Sequence, residues 1–386
     1  RAEGDSGMSG AGAVDKGPLA GVTVVEIASF ISGPFATMML AQLGATVVKI
    51  EPPRGDPFRR FGRPAGGVAA PFASTNRGKA SVVLDLKNAA DRESLLNRID
   101  GADVLLANWR PAVADRLGLG DELLANRNPR LIRAYLTGFG PSGPLADQPA
   151  FDSIIQARSA LTDIQSDSVA PAPATTYVAD KLSALIACQA VMAAIIARDR
   201  TGLGDRVDVS MLDAVSYFNF PDGLANRTFL DHQPVEARNS LAASVRPLRT
   251  ADGWIMVIAV SGGQIKRACI AAGHAEWIDE LRAIEDSTQI VTEFFDRLES
   301  VMHTAASSHW LDTFAVHDVP AAPCHTIDEH LVDPQVLHND LYSIGHTPGA
   351  GPTRQIRYPA VFGRYGKLGV AGNSPSAGES AVSPDA

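Results

Sequence analysis

The stretch from Gly17 to Gly62 constrains the fold most, because it predicts a strand, a helix and a second strand in close succession. Both strand segments are apolar and rich in β-branched side chains, as buried parallel strands are. Between them, the turn Ser32-Gly33-Pro34 predicts a break before a run of good helix formers. The predicted segments are the strand Val22 to Ile27, the helix Phe35 to Leu43 and the strand Thr46 to Ile50. Such a unit makes its two strands parallel neighbours with a right-handed crossover.

A unit of this kind also suits a dinucleotide cofactor, which needs a glycine-rich first turn. The segment Ala28 to Pro34 contains one glycine, whereas the G-x-G-x-x-G motif requires three for close approach to the pyrophosphate. Glu51 ends the second strand, where a ribose-binding acid would lie, but without the glycines it is weak support. The sequence therefore disfavours NAD binding and leaves it as an outside alternative.

Strand and helix segments continue to alternate, which predicts a doubly wound α/β domain. The further strands are predicted at Ala80 to Leu86, Ala102 to Ala107 and Leu131 to Thr137, and the clearest helices at Ala89 to Ile99 and Ala179 to Arg198. Functional loops of such sheets follow the carboxyl ends of the strands. Five cations fall at strand ends or in adjacent loops: Arg77, Lys79, Lys87, Arg110 and Arg116. In a chain of net charge −9, they indicate a phosphate-bearing ligand unless they are solvated surface charges.

The later part of the chain predicts a second, smaller α+β domain. Ala251-Asp252-Gly253 is a hairpin-type turn between the strands Pro247 to Thr250 and Trp254 to Val260. A helical pattern from Gly263 to His317 places Trp277, Trp310 and Phe314 on core faces. The predicted organisation is a disordered tail at 1–16, a large domain at 17–220, a small domain with linkers at 221–330, a return segment at 331–368 and a disordered tail at 369–386.

Composition narrows the function. The negative net charge argues against nucleic acid as a partner, and no apolar run is predicted to span a bilayer. The three cysteines, Cys188, Cys269 and Cys324, are far apart, which predicts a cytoplasmic location and no metal cluster. All nine histidines lie at or after His232. Acid–base or nucleophilic chemistry before that point must therefore use carboxylates, hydroxyls, lysine or the backbone.

Two aspartates in the histidine-free part are candidates for that chemistry. Asp152 precedes the segment Ser153 to Leu161, and Asp180 is the only acid between Asp167 and Asp199, at the head of a long apolar segment. Each could be an N-cap, whose side chain accepts a backbone N–H. Asp180 could equally be a nucleophile that is partly desolvated and held at the positive end of a helix. The residues alone leave these interpretations open.

Further motifs follow one another along the chain: VTVVEIASFISGP, LGATVVKIEPPRGD, NRGKASVVLDLK, LLANWRP, NPRLIRAYLTGFGPSGP, FDSIIQARSAL, TGLGDRVDVSMLDA, RTADGWIMVIAV and VPAAPCHTIDEHLVDPQV. Together they cover residues 17 to 365. This succession resembles the family III CoA-transferases, which include formyl-CoA and carnitine CoA-transferases and the related α-methylacyl-CoA racemases. The resemblance implies a Rossmann-like parallel-sheet large domain that binds CoA, a smaller α+β domain, and a homodimer interlocked like chain links.

The resemblance also assigns roles by matching position. Asp180 matches the catalytic aspartate, and Asp152 matches a second active-site carboxylate. The thioester end of CoA would lie against Phe30, Ile31 and Ser32, and the nucleotide end against Leu84, Lys87, Asn108 and Arg116. The implied reaction moves CoA from an acyl-CoA to a carboxylic acid through an aspartyl-CoA thioester, with no metal. A carboxylate needs no general base to attack a thioester, which suits a region without histidine.

Three departures from the family pattern bear on the substrate. Phe151 stands where the racemases have a histidine, and the loss of that acid–base group disfavours racemisation. The stretch Ala225 to Thr250 has no glycine, unlike the glycine-run flap of formyl-CoA transferase. Ile31 replaces the glutamine of that enzyme and, with Phe30 and Phe151, predicts a less polar acyl group. A racemase-type isomerase and a CoA-binding protein without turnover remain the alternatives.

Overall fold

The computed structural model describes residues 17–166, 170–223, 227–231, 245–285, 287–347, 349–369 and 372–378. The chain divides into two compact units, one running to Gly223 and resuming at Asp340, the other running from Leu224 to Asn339. Several predictions fall outside the described residues. They concern the tail at 1–16, residues 370–371 and 379–386 of the other tail, and residues 225–226 and 232–244 of the glycine-free stretch.

The first unit begins with alternating strands and helices. In chain order they are β1 (Thr23–Ile27), α1 (Ser32–Gln42), β2 (Thr46–Glu51), β3 (Pro64–Ala65), β4 (Val68–Ala69), α2 (Ala70–Thr75), β5 (Lys79–Val83), α3 (Ala89–Asp100), β6 (Val104–Ala107), α4 (Pro111–Arg116), α5 (Asp121–Arg127), β7 (Ile132–Thr137), α6 (Asp152–Arg158), α7 (Leu161–Ile164), α8 (Val178–Thr201), β8 (Arg206–Ser210) and α9 (Met211–Gly223). A 3₁₀ turn, Pro57–Arg60, lies in the loop before β3.

Six of these strands form one parallel sheet in the order β5-β2-β1-β6-β7-β8. Counted in chain order, this is the arrangement 3-2-1-4-5-6 of dinucleotide-binding Rossmann folds. Apolar side chains from one face of the sheet pack with α1 and α8. Those from the opposite face pack with α3 and α5. The predicted doubly wound α/β architecture is confirmed.

Helix α1 begins at Ser32, earlier than predicted, so the turn Ser32-Gly33-Pro34 is not a break. Proline is tolerated in the first turn because the N–H that it lacks would have no helical acceptor there. Gly33 lets the helix lie against the strand ends, since a Cβ at this position would lie 2.4 Å from the Ala28 Cβ and 3.3 Å from Leu106. The helix therefore starts almost directly at the carboxyl end of β1.

Helix α8 is long and apolar enough to cross a membrane, which corrects the prediction that the chain has no such run. Its buried positions include Ala184, Ala187 and Val191, and these residues belong to the core that α8 shares with α1 and the sheet. The central place of α8 in the core of this unit therefore explains why its residues are mainly apolar.

The second unit contains β9 (Leu248–Arg249), β10 (Trp254–Val257), α10 (Gly262–Ala271), α11 (Trp277–Arg282), α12 (Ser287–Met302), α13 (Ser307–Val316), β11 (Ala321–Pro323), α14 (Ile327–Val332) and α15 (Pro334–Asn339). Its strands form an antiparallel sheet in the order β11-β10-β9. The predicted turn joins β9 to β10, with the Thr250 N–H donating to the Gly253 carbonyl at 3.0 Å. Trp277, Trp310 and Phe314 are buried as predicted. The smaller α+β unit is confirmed.

After Asn339 the chain returns to the first unit. It forms two hairpins, β12 (Tyr342–Thr347) with β13 (Gly351–Ile356) and β14 (Val361–Phe362) with β15 (Gly366–Lys367). The Ile356 carbonyl accepts hydrogen bonds from the side chains of Gln42 and Arg77, at 2.8 and 3.0 Å. These bonds fasten the returning segment to α1 and to the turn before β5.

Candidate active site

The sheet order creates a crevice between β1 and β6. From β1 the chain crosses to β2 on one side, whereas from β6 it continues to β7 on the other, so the loops that leave the two strands diverge. Asn108 follows β6 and bridges the gap. Its Oδ1 accepts from the Ser29 N–H at 3.1 Å, and its Nδ2 donates to the Ser29 carbonyl at 2.8 Å. Ligands of open α/β sheets bind at such a point.

A cavity of about 750 Å³ opens at this crevice, a size typical of small-molecule sites. Its wall is formed by the loop after β1, the segment after β6, the end of β7, the loop leading to α6 and the first turns of α6 and α8. It brings together six of the predicted site residues: Phe30, Ile31, Ser32, Asn108, Asp152 and Asp180. Residues from distant parts of the chain thus share one cavity.

Asp180 is the third residue of α8 and lies half-buried on the cavity wall. The N-cap of α8 is Tyr177, so the N-cap interpretation of Asp180 is wrong. Burial and the negative charge of Asp152 raise the pKa of Asp180 to about 7, against the opposing effects of a hydrogen bond from Ser32 and the charge of Lys181. This carboxylate is more basic than an ordinary aspartate and about half ionised near neutral pH.

Asp152 is buried, and its carboxylate supports the first turn of α8. Its Oδ1 accepts from the Asp180 backbone N–H at 3.1 Å, and its Oδ2 accepts from the Gln156 side chain. Gln156 is itself held by the Ala174 N–H, which donates to Oε1 at 2.9 Å. The N-cap position of α6 is occupied by Phe151, so Asp152 does not cap its own helix. It instead satisfies a backbone N–H of the neighbouring helix.

Aromatic side chains cover much of the cavity wall. The Phe30 ring meets the Phe151 ring edge to face, with centroids 5.5 Å apart, and lies 5.9 Å from the Phe58 ring. Phe151 is 59% exposed, so it is available for contact with a ligand. Within the described residues, Arg110 is the one lysine or arginine on this wall, and its Nη1 donates to the Asp147 carbonyl at 2.7 Å. The wall is therefore mainly apolar.

Three residues predicted to contact the CoA nucleotide do not line this cavity. Leu84 packs in the core between the sheet and α3. Lys87 and Arg116 are exposed, Lys87 after β5 and Arg116 at the end of α4. The assignment of these three residues to the nucleotide stays a prediction.

Two of the five cations predicted to bind an anion are buried. The Lys79 ammonium donates to the Pro34 carbonyl at 2.7 Å and to Asn76 Oδ1 at 3.0 Å, and it lies 2.7 Å from Glu26. Arg77 is only 4% exposed. Their prediction as anion ligands is wrong because an ammonium has three donors and all those of Lys79 are in use, while Arg77 is enclosed by protein.

Glu51, the one residue that supported a dinucleotide, is fully engaged within the protein. Its carboxylate accepts from Arg59 at 2.6 Å, from Ser81 at 2.5 Å and from the Asp56 N–H at 2.8 Å. Although burial acts in the opposite direction, the hydrogen bonds from Arg59 and Ser81 lower the pKa of Glu51 to about 2. Glu51 is therefore not available to bind a ribose, and the hypothesis of dinucleotide binding loses the one residue that supported it.

The sequence interpretation missed the charges buried beneath the loop after β1. Glu26 and Lys49 lie in segments predicted as buried strands, and the strand register pairs them directly, with Nζ 2.7 Å from Oε1. A charge inside an apolar run is a usable signal, because buried charges are almost always paired. Opposite charges in two strands predicted to be neighbours could have been matched from the sequence.

Comparison with known proteins decides the family. The family description "CoA-transferase family III" matches residues 19–381 of the chain. The chain belongs to CoA-transferase family III. The resemblance inferred from the motifs is thereby confirmed, and the protein is an enzyme of the CoA-transferase class, for which CoA is a substrate.

Individual relatives of the chain extend over nearly the same length. Acetyl-CoA:oxalate CoA-transferase of Acetobacter aceti is 34% identical over 337 residues, covering 84% of this chain and 85% of that protein. A probable fatty acyl-CoA transferase of Mycobacterium tuberculosis is 30% identical over 382 residues, covering 94% and 96%. The solved structure of a CAIB/BAIF family protein from Brucella suis superposes with a TM-score of 0.81 at 28% identity, covering 94% and 97%. The fold and the enzyme class are therefore those of this family.

Proposed function

We propose that the chain transfers CoA from an acyl-CoA to a carboxylic acid through covalent intermediates on Asp180. The observation that carries the proposal is the position of Asp180, half-buried on the cavity wall with a pKa raised to about 7 by burial and by Asp152. A carboxylate of this basicity is a stronger nucleophile than an exposed aspartate, and much of it is ionised at neutral pH.

In the first half of the reaction, an Asp180 oxygen attacks the thioester carbonyl and forms a tetrahedral intermediate. Its collapse breaks the carbon–sulfur bond and gives an acyl–aspartyl anhydride and CoA thiolate. The thiolate then attacks the Asp180 carbonyl carbon, which forms aspartyl-CoA thioester and releases the donor acid as its carboxylate. No proton needs to move in these steps, which fits a cavity wall that has no histidine among its described residues.

The second half repeats these steps in reverse with the acceptor acid. Its carboxylate attacks aspartyl-CoA, expels CoA thiolate and forms a new mixed anhydride. The thiolate then attacks the acceptor's carbonyl carbon, which gives the new acyl-CoA and restores the Asp180 carboxylate. Each tetrahedral oxyanion needs hydrogen-bond donors. The Ser32 and Gly33 N–H groups in the first turn of α1 suit this role, because first-turn N–H groups have no helical acceptor.

The other residues of the site have two proposed roles, to hold the catalytic groups in place and to bind CoA. Asp152 holds the first turn of α8 and adds the negative charge that raises the pKa of Asp180. Asn108 supports the cavity wall through Ser29. The CoA nucleotide would extend towards the exposed cations Lys87 and Arg116, and Leu84 lies beneath that region as core. Phe30, Ile31 and Ser32 would face the thioester end.

The apolar wall predicts an apolar acyl group. The second carboxylate of an oxalyl or succinyl group would be buried among Phe30, Ile31 and Phe151, near two aspartates and with Arg110 as the one cation among the described residues of the wall. An unpaired buried charge costs several kcal/mol. We therefore expect kcat/KM for a medium-chain acyl-CoA to exceed that for oxalyl-CoA by about 100-fold. Mass spectrometry of products from acyl-CoAs crossed with carboxylic acids measures this ratio. A preference for oxalyl-CoA would contradict the assignment of the apolar wall to the acyl group.

The same product assay in D₂O separates transferase from isomerase activity. We expect no deuterium at the α-carbon of a 2-methylacyl-CoA, because Phe151 supplies no acid–base group. Deuterium uptake without an acceptor acid would indicate a racemase. CoA binding by calorimetry without product from any pair would indicate a binding protein.

A homodimer is the assembly that we propose. Large apolar side chains are exposed on α8 and α9: Leu185 (44%), Ile196 (54%), Phe218 (53%) and Phe220 (54%). Exposed apolar surface of this extent is typical of protein contacts. Light scattering after size exclusion should give twice the chain mass of 40.7 kDa, and a monomer mass at micromolar concentration would contradict the proposal.

A further inference from the structure

Four charged side chains lie beneath the loop that follows β1, and none of them has exposed side-chain surface: Glu26, Lys49, Asp56 and Lys79. The Lys49 ammonium lies 2.7 Å from Glu26 and 3.0 Å from Asp56, and the Lys79 ammonium lies 2.7 Å from Glu26. We call this set the buried charge cluster. Its two acids and two bases balance, which is the condition under which buried charges are tolerated.

The buried charge cluster also makes hydrogen bonds to the backbone of the loop. Lys49 donates to the Ala28 carbonyl at 2.6 Å, and Lys79 donates to the Pro34 carbonyl at 2.7 Å. Asp56 Oδ1 accepts the Phe30 N–H at 3.3 Å and the Phe58 N–H at 2.9 Å. The cluster therefore holds the loop on both sides of Ile31, Ser32 and Gly33.

The loop needs this support because Phe30 has φ of 65°, in the left-handed region. A residue with a Cβ pays a conformational cost there, and such a conformation persists only where the surroundings fix it. Two residues further on, Ser32 lies on the wall of the cavity that Asp180 also lines, and a hydrogen bond from the Ser32 hydroxyl acts against the rise in the pKa of Asp180. The backbone conformation of Phe30 thus determines where that hydroxyl lies.

We propose that Asp56 and Lys49 are positioning residues for Asp180, because their ion pair fixes the loop so that the Ser32 hydroxyl stays on the Asp180 carboxylate. The expected effect of these residues on the reaction rests on the proposed function. Their effect on the position of the loop and of the Ser32 hydroxyl does not. A cluster with a structural role alone would change the stability of the fold without changing the titration of Asp180.

The test is Asp56→Asn in the full chain, with the pKa of Asp180 measured by ¹³C NMR of labelled aspartate carboxyls and its signal assigned by loss in Asp180→Asn. Since the Ser32 hydrogen bond lowers the pKa of Asp180, we expect Asp56→Asn to raise it by about one pH unit. Ser32→Ala should have the same effect, and the double variant should equal Ser32→Ala alone. For the reaction, the acidic limb of kcat/KM should move to higher pH, and kcat should fall about tenfold with KM little changed.

Asp103→Asn is the matched control. Asp103 has the same arrangement at the amino end of β1, where it accepts the Thr23 N–H at 2.7 Å and pairs with Arg198 at 2.7 Å. This variant should lower the melting temperature without moving the pKa of Asp180 or the pH profile. The other charges that act on Asp180, those of Asp152 and Lys181, are left intact in all variants.

Asp56→Asn is expected to fold, because burial lowers the pKa of Lys79 to about 8 and its ammonium can release a proton to restore neutrality. Asp56→Ser is the second variant, since serine can still cap the turn at Phe58. A folded variant with an unchanged pKa of Asp180 overturns the proposal, and so does the absence of a cooperative melting transition in both variants. If Asp180→Asn proved active, the proposed function would fail, while the NMR comparison would still decide the positioning role.

Discussion

Asp180→Asn is expected to abolish CoA transfer while the chain remains folded. The amide cannot form the acyl–aspartyl anhydride, so every covalent step on this residue is lost. Removal of a catalytic nucleophile typically lowers kcat by about 10⁴-fold or more. The fall in kcat should appear with every acyl donor that the wild-type enzyme accepts, and circular dichroism should be unchanged. Chromatography of CoA thioesters measures the rate.

Asp213→Asn is the control for this substitution. Asp213 is also the third residue of a helix, α9, but its side chain is exposed and does not line the cavity. Its replacement should leave kcat within about twofold, as surface substitutions away from the site usually do. Hydroxylamine added during turnover of the wild-type enzyme should convert Asp180 to its hydroxamate. A fully active Asp180→Asn enzyme would exclude the nucleophile assignment.

Much of the fold could be predicted from the sequence because the central strands carry a local signal. Buried parallel strands are apolar along their length, so β1, β2, β6 and β7 were placed within two residues. The start of α1 was misplaced because a proline was interpreted as a break. Whether Pro34 ends or begins a helix depends on its position in the first turn, which composition does not give.

The roles of the two aspartates could not be settled from local sequence. The N-cap rule considers only the helix that follows a residue. Asp152 satisfies an N–H at the start of α8, a helix that lies beyond α7 in the chain. The raised pKa of Asp180 arises from burial and from this neighbour, and both depend on how α6 and α8 pack. The family resemblance supplied the roles that these local rules could not.

The cations illustrate a second limit. Lys79 and Lys87 both lie near the ends of β5, and the sequence analysis predicts the same role, binding of an anion, for both. Lys79 is buried because Glu26 in β1 provides a countercharge, whereas Lys87 is exposed. A buried partner on another strand is visible only after the sheet order is known, so three-dimensional structure is needed to separate structural cations from ligand-binding ones.

Asp180→Asn is also expected to stabilise the protein at pH 8, which is the reverse of its effect on activity. The pKa of Asp180 is about 7 in the folded protein and 3.8 ordinarily. Between these values the folded state binds more protons than the unfolded state, so the free energy of unfolding falls as pH rises. At 1.36 kcal/mol per pH unit, the loss approaches about 4 kcal/mol above pH 7 as an upper limit, before screening by water. Asparagine carries no charge and escapes this loss.

The difference in melting temperature between Asp180→Asn and wild type should therefore grow from pH 5 to pH 8 and level off above the folded-state pKa. Calorimetry in buffers of equal ionic strength measures it, and Asp213→Asn, whose carboxylate is exposed, should give no such growth. A variant less stable than wild type at pH 8 would mean that the Asp180 carboxylate stabilises the fold where it lies. The buried Asp180 carboxylate would then have a structural role. A gain in stability on its removal instead fits a carboxylate whose burial costs stability and serves the reaction.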